Sequence, residues 1–224
     1  MKAIKIQEQI IPYDIVYGKY KGLSMKYDPK EQKLVIKCNR WVSNAKIEDF
    51  VNKRKDWIMK QVSKPWKFLH IGNTIDVFGV NYPVKVVLSN KNEVVLTDIC
   101  TVYTTKKITY KDLEKILRNY LKDVLSKYIN KIYPKVVERT NVDQVKFRYR
   151  YMTSRFGVCY PKRKEICLNA YLACCSKKAI CAVLFHEFSH FYQANHSKKF
   201  YDVLYNLYPS YEEDMLELKY IVLK

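Results

Sequence analysis

Long apolar runs are missing from this 224-residue sequence: the longest, Ala179 to Phe185, is seven residues, far short of the roughly 20 that span a bilayer. The opening stretch MKAIKIQEQIIPYD has neither an apolar core segment nor a small-residue cleavage site, so a soluble, cytoplasmic protein with no membrane partner is expected. Glycine is scarce, at five, and none sits in a phosphate-cradling loop motif. No C-x-x-C pair exists among the seven cysteines, and adjacent Cys174 and Cys175 fit no common zinc module. An odd thiol count without an export signal points to reduced cysteines, most of them buried as small apolar residues. Internal repeats and low-complexity linkers are absent too.

What is abundant is positive charge. Lys and Arg number 41 against 22 acids, a formal +19, and 33 of the cations are Lys. A field of that sign attracts polyanions. Heavy use of Lys, Ile, Tyr and Asn is also the vocabulary of an A/T-rich genome, so charge alone does not decide function. With 48% hydrophobic residues, a sizeable core forms and extensive disorder is excluded.

The front half is read as short strands. Leu23–Tyr27 and Lys33–Cys38 flank a turn at Asp28-Pro-Lys-Glu and predict a hairpin. Ser43 caps a predicted helix to about Val62, with Ile47, Phe50, Val51, Trp57 and Ile58 as its buried stripe. Strand-like runs follow at Thr74–Phe78, Tyr82–Leu88 and Glu93–Leu96. Thr109 with Asp112 opens a long amphipathic helix expected to stop at Tyr133, before Pro134. Val145–Tyr151 alternates strictly, with Lys146, Arg148 and Arg150 on one face. A second hairpin joins Phe156–Tyr160 to Glu165–Asn169. Ser176 caps a helix to about Gln193, and two short helices separated by Pro209 close the chain. The organisation expected is a β-rich part over 1–108 and a second part over 109–224, with a soft boundary that also allows one compact domain.

Three of the four histidines lie within eleven residues, in His186-Glu187-Phe188-Ser189-His190 and His196. Residues four apart on a helix project side by side, so His186 and His190 can grip one metal ion. Glu187 lies at the edge of that face, near enough to act on a water without being a ligand. The rest of the helix is apolar around nearly its whole circumference, and buried imidazoles need partners, which a metal supplies. A turn after the helix can fold His196 back as a third ligand. Three ligands with one open position is the pattern of a catalytic Zn2+, one per chain. His70, between Leu69 and Ile71, is read as a partly buried loop residue.

The blocks Thr153-Ser-Arg-Phe-Gly-Val-Cys159, Ile166-Cys-Leu-Asn169, His186–His190 and Asn195-His-Ser197-Lys-Lys-Phe200 resemble those of the YgjP-like metallopeptidases, and more distantly the SprT-like proteases. The front half matches more weakly, at Phe50-Val, Asp56-Trp57-Ile58 and Gly72 to Tyr82. Phe156-Gly157-Val158 stands where the family usually carries Trp-Gly-Ser, and Gln193 separates the chain from metzincins, which need glycine there. The resemblance implies an α+β fold with a zincin-like core: an active-site helix packed on a small sheet, preceded by a β-rich half. It implies His186, His190 and His196 as zinc ligands, Glu187 as catalytic base and a peptide or protein as substrate.

Zinc chemistry then calls for a helper donor at the developing oxyanion, with Arg155 or one of the twenty tyrosines as candidates; a structural ion pair near the hairpin is the plainer role for Arg155. Two alternatives stand beside a peptidase: a zinc hydrolase of another substrate such as a nucleotide, or a nucleic-acid-associated protein with an auxiliary metal site. Weak, sequence-independent nucleic-acid binding is expected, with Lys146, Arg148 and Arg150 as the candidate contact.

Overall fold

A computed structural model describes residues 2–223. The chain divides into two compact units between Lys67 and Phe68, and each has its own apolar core.

In the first unit four strands, β1 (Lys2–Ile6), β2 (Gln9–Tyr17), β3 (Ser24–Asp28) and β4 (Lys33–Cys38), form one sheet in the order β1-β2-β4-β3. The expected β3–β4 hairpin is present, antiparallel from Ser24 opposite Lys37 to Asp28 opposite Lys33. The Asp28 carboxylate accepts the backbone N–H groups of Lys30 and Glu31, which closes the turn. Where one helix was expected over 43–62, two occur: α1 (Asn44–Asn52), capped by Ser43, and α2 (Lys55–Val62). Arg54 leaves helical geometry (φ −119°, ψ 19°). Its guanidinium folds back over the Phe50 ring at 3.7 Å and donates to the Phe50 carbonyl. The break keeps Ile47, Val51 and Ile58 in the core but leaves Phe50 half-buried and turns Trp57 outward, 37% exposed.

After the two-residue strand β5 (Lys67–Phe68), the second unit opens with β6 (Thr74–Val77), β7 (Val80–Leu88), β8 (Glu93–Leu96) and β9 (Cys100–Thr104), ordered β6-β7-β9-β8. Ile75, Val77, Cys100 and Val102 pack into the same core as the long helix α3 (Tyr110–Thr140) and the elements after it.

The capping box of Thr109 and Asp112 starts α3 as expected. Pro134 does not end it. The helix runs about two turns further, to Thr140, and is capped by Asn141 in left-handed conformation. A proline inside a helix costs about 3 kcal/mol. Val136 and Thr140 continue the buried stripe of Leu113, Leu117, Leu121, Leu125 and Ile129, and their burial offsets it.

A second sheet, β10 (Lys146–Arg150), β11 (Gly157–Tyr160) and β12 (Glu165–Asn169), has the order β10-β12-β11. The central strand β12 is buried along its whole length, paired parallel to β10 and antiparallel to β11. That leaves β11 on a sheet edge, directly against α4 (Lys177–Ser189). Two short helices, α5 (Lys198–Leu207) and α6 (Tyr211–Asp214), follow as expected on either side of Pro209.

Candidate active site

Ser176 accepts the Ala179 N–H and starts α4 where the sequence placed it. The helix ends at Ser189, four residues before the expected Gln193. The Ser189 hydroxyl donates to the Phe185 carbonyl, and the backbone N–H groups of His190, Phe191 and Tyr192 reach carbonyls three residues back. This tightened turn redirects the chain, and His196 returns to the face that His186 and His190 occupy.

The three imidazoles converge. One ring nitrogen from each lies within 4.8 Å of the others, and the Nε2 atoms of His186 and His196 are 3.0 Å apart. Phe200, fully buried on α5, packs against all three rings with centroids at 4.7, 4.8 and 4.9 Å. The second nitrogens of His186 and His190 are occupied. The Nδ1 of His186 lies 3.0 Å from the Tyr211 hydroxyl and that of His190 lies 3.2 Å from the Gln193 carbonyl. His190 must donate to that carbonyl, which leaves its Nε2 lone pair facing the other rings.

Burial, reinforced by the neighbouring His190 and His196, pushes the pKa of His186 down to about 4, and burial lowers that of His190 as well. Both rings are therefore held toward the neutral form, with the His196 ring beside them. Facing acceptors repel unless a proton or cation sits between them, and three neutral imidazoles suit zinc on ligand type. The donor set fits the metal.

Glu187 is 5% exposed and points into the same cleft of about 690 Å³, which also takes in Arg155, Gly157, Val158, Cys159 and Met215. Burial raises its carboxyl to about 7, against the opposing pull of the Cys159 backbone N–H and the Arg155 charge. Gly157 is the other half of this arrangement. A Cβ there would stand 2.5 Å from Oε1, 2.7 Å from Cγ and 2.8 Å from Cδ of Glu187, so only glycine lets β11 lie this close. Asn169 holds the preceding loop by donating to the Met152 and Arg155 carbonyls and accepting from Met152 N–H.

Of the residues singled out from sequence, His186, Glu187, His190, His196 and Arg155 all border this cleft. Lys146, Arg148 and Arg150 are exposed on β10. Arg148 is tied to Glu165 at 3.0 Å. His70 is exposed rather than half-buried, its Nδ1 3.2 Å from Asp76. Among the described residues all seven cysteines are free thiols, five of them buried. Tyr211 and the contact of Gly157 with Glu187 were not foreseen. Nothing in spacing picks Tyr211 from twenty tyrosines, while the glycine lay inside a noted block without a role.

A family model described as YgjP-like, metallopeptidase domain, matches residues 23–220. No curated protein matches the chain significantly. Among solved structures the chain is similar to the metallopeptidase zymogen jannalysin of Methanocaldococcus jannaschii, at 23% identity over 44% of this chain and 91% of that one, TM-score 0.33. It is likewise similar to the zymogen abylysin of Pyrococcus abyssi, at 18% identity over 46% and 99%, TM-score 0.35.

Proposed function

This chain belongs to the YgjP-like metallopeptidases, and from that premise we propose that it hydrolyses peptide bonds with one zinc ion held by His186, His190 and His196 and with Glu187 as general base. The observation that carries the reading is the convergence of three imidazoles beside a buried carboxylate in one open cleft.

Zinc at these nitrogens would polarise the scissile carbonyl and bring the pKa of water toward neutrality. The chain's own residues do the rest. Glu187, whose burial makes it a better base than an exposed carboxylate, accepts a proton from the attacking water on a carboxylate oxygen. The same oxygen then passes it to the leaving amine nitrogen. The backbone N–H of Cys159 holds that carboxylate in place. Among the described residues one side of β11 faces no strand, so an extended peptide is able to add there, its backbone aligned past Glu187. Arg155, exposed on the cleft rim, is the donor we assign to the developing oxyanion. Tyr211 is engaged at His186 and serves to orient that ring.

Metal content and peptide cleavage test the proposal together. Purified protein should hold about one zinc per chain, and His190→Ala should lose it. Glu187→Gln should keep zinc and fold while hydrolysis falls about 10²- to 10⁴-fold. Full zinc occupancy in His190→Ala, or wild-type cleavage by Glu187→Gln, would overturn it.

A further inference from the structure

Positive charge is not spread evenly. Residues 1–67 carry 16 Lys and Arg against 7 acids, a net +9, whereas the 157 residues that follow carry 25 against 15, a net +10. The first unit thus has about twice the charge density, and no part of the cleft described above lies in it. Its surface also bears the most exposed large apolar side chain among the described residues, Trp41 at 92%. Trp41 sits on the loop between β4 and α1 and lines a groove of about 390 Å³ with Tyr20, Lys21, Leu23 and Lys46. No carboxylate lines that groove, and the Lys37 ammonium lies 6.0 Å from the Tyr20 ring centroid.

An indole left in water among ammonium groups contributes nothing to the protein core. It is suited to a ligand with flat π faces and a negative backbone. Side-chain oxygens of the groove are engaged locally: Asn39 Oδ1 accepts the Trp41 N–H, and Ser43 Oγ accepts the Lys46 N–H. Recognition here rests on stacking and charge, not on reading base edges. The β10 face offers less. Arg148 is neutralised by Glu165, Lys164 lies 3.6 Å from Asp143, and Phe147 and Tyr149 pack against the core.

We propose that this groove, with Trp41 and Tyr20 as stacking platforms and Lys21, Lys37 and Lys46 as phosphate contacts, binds single-stranded DNA without sequence preference. Duplex DNA hides its base faces and would use only the charge.

The test is a fluorescence-anisotropy titration of the full-length protein with a labelled oligo-dT over a salt series. Trp41→Ala should weaken binding about 5- to 150-fold, since one stacked base contributes about 1–3 kcal/mol, and Trp41→Tyr should restore most of it. The thermal melt should not change, because Trp41 is almost wholly exposed. Lys21→Glu with Lys46→Glu should flatten the salt slope by at least about 1.4, at about 0.7 per phosphate contact on single strands. Replacing Lys146, Arg148 and Arg150 together should leave most of the affinity. Unchanged affinity in Trp41→Ala, tighter binding of a duplex of the same length, or loss of binding in the β10 triple variant would each overturn the proposal.

Discussion

Replacing Gly157 by alanine should disable Glu187 without touching the metal. The new Cβ would meet Oε1, Cγ and Cδ of Glu187 at 2.5–2.8 Å, where carbon contacts settle near 3.5–4.0 Å. About 1 Å of movement is required. Strand β11 is poorly placed to supply it, because Gly157 is in register with Leu168 and the Phe156 carbonyl accepts the Asn169 N–H at 2.7 Å. The Glu187 side chain therefore moves instead. A displacement of that size at a reacting group costs on the order of 10²-fold in rate, while overpacking costs about 1–3 kcal/mol of stability. Zinc content should stay at the wild-type level, since the three atoms nearest the new Cβ all belong to Glu187 and none to an imidazole. Steady-state cleavage of a quenched-fluorescent peptide should show the loss in kcat. In a Glu187→Gln background the alanine should add no further loss, because the group it displaces is already inactive. Wild-type kcat in Gly157→Ala, loss of zinc, or a further hundredfold loss in the double variant would refute the reasoning.

Tyr211→Phe keeps a ring that is 7% exposed and removes the hydroxyl that lies 3.0 Å from His186 Nδ1. Zinc affinity measured by chelator competition should fall about 10- to 100-fold, and an unchanged affinity would deny Tyr211 an orienting role. The zinc-stripped protein should show two opposing pH responses. His186, with its folded pKa lowered, contributes stability that is full above the ordinary imidazole value of about 6.5 and is lost as pH falls toward 4. Glu187, with its folded pKa raised, contributes stability that is full below the ordinary carboxyl value and is lost as pH rises through 7. In zinc-stripped Glu187→Gln the histidine response remains alone, so its melting temperature should drop more steeply than wild type between pH 6.5 and 4.5. Parallel pH profiles would show that the carboxylate is not buried as described.

Sequence by itself determined whatever depends on near neighbours in the chain. The i, i+4 spacing of His186 and His190, the capping residues Ser43, Thr109 and Ser176, both hairpins and the alternation of β10 are local relations. Each is set by helical or strand geometry within a few residues. Tertiary structure decided the rest. Pro134 read as a stop because its local cost is real, but Val136 and Thr140 continue a stripe buried against the second unit's core. The predicted helix over 43–62 breaks at Arg54, where a guanidinium–ring contact competes with helix continuation. The Arg148–Glu165 pair and the Tyr211–His186 hydrogen bond join residues 17 and 25 apart. The meeting of Gly157 with Glu187 requires β11 to lie flat on α4. None of these contacts leaves a period in the sequence, because each exists only once packing has brought distant segments together.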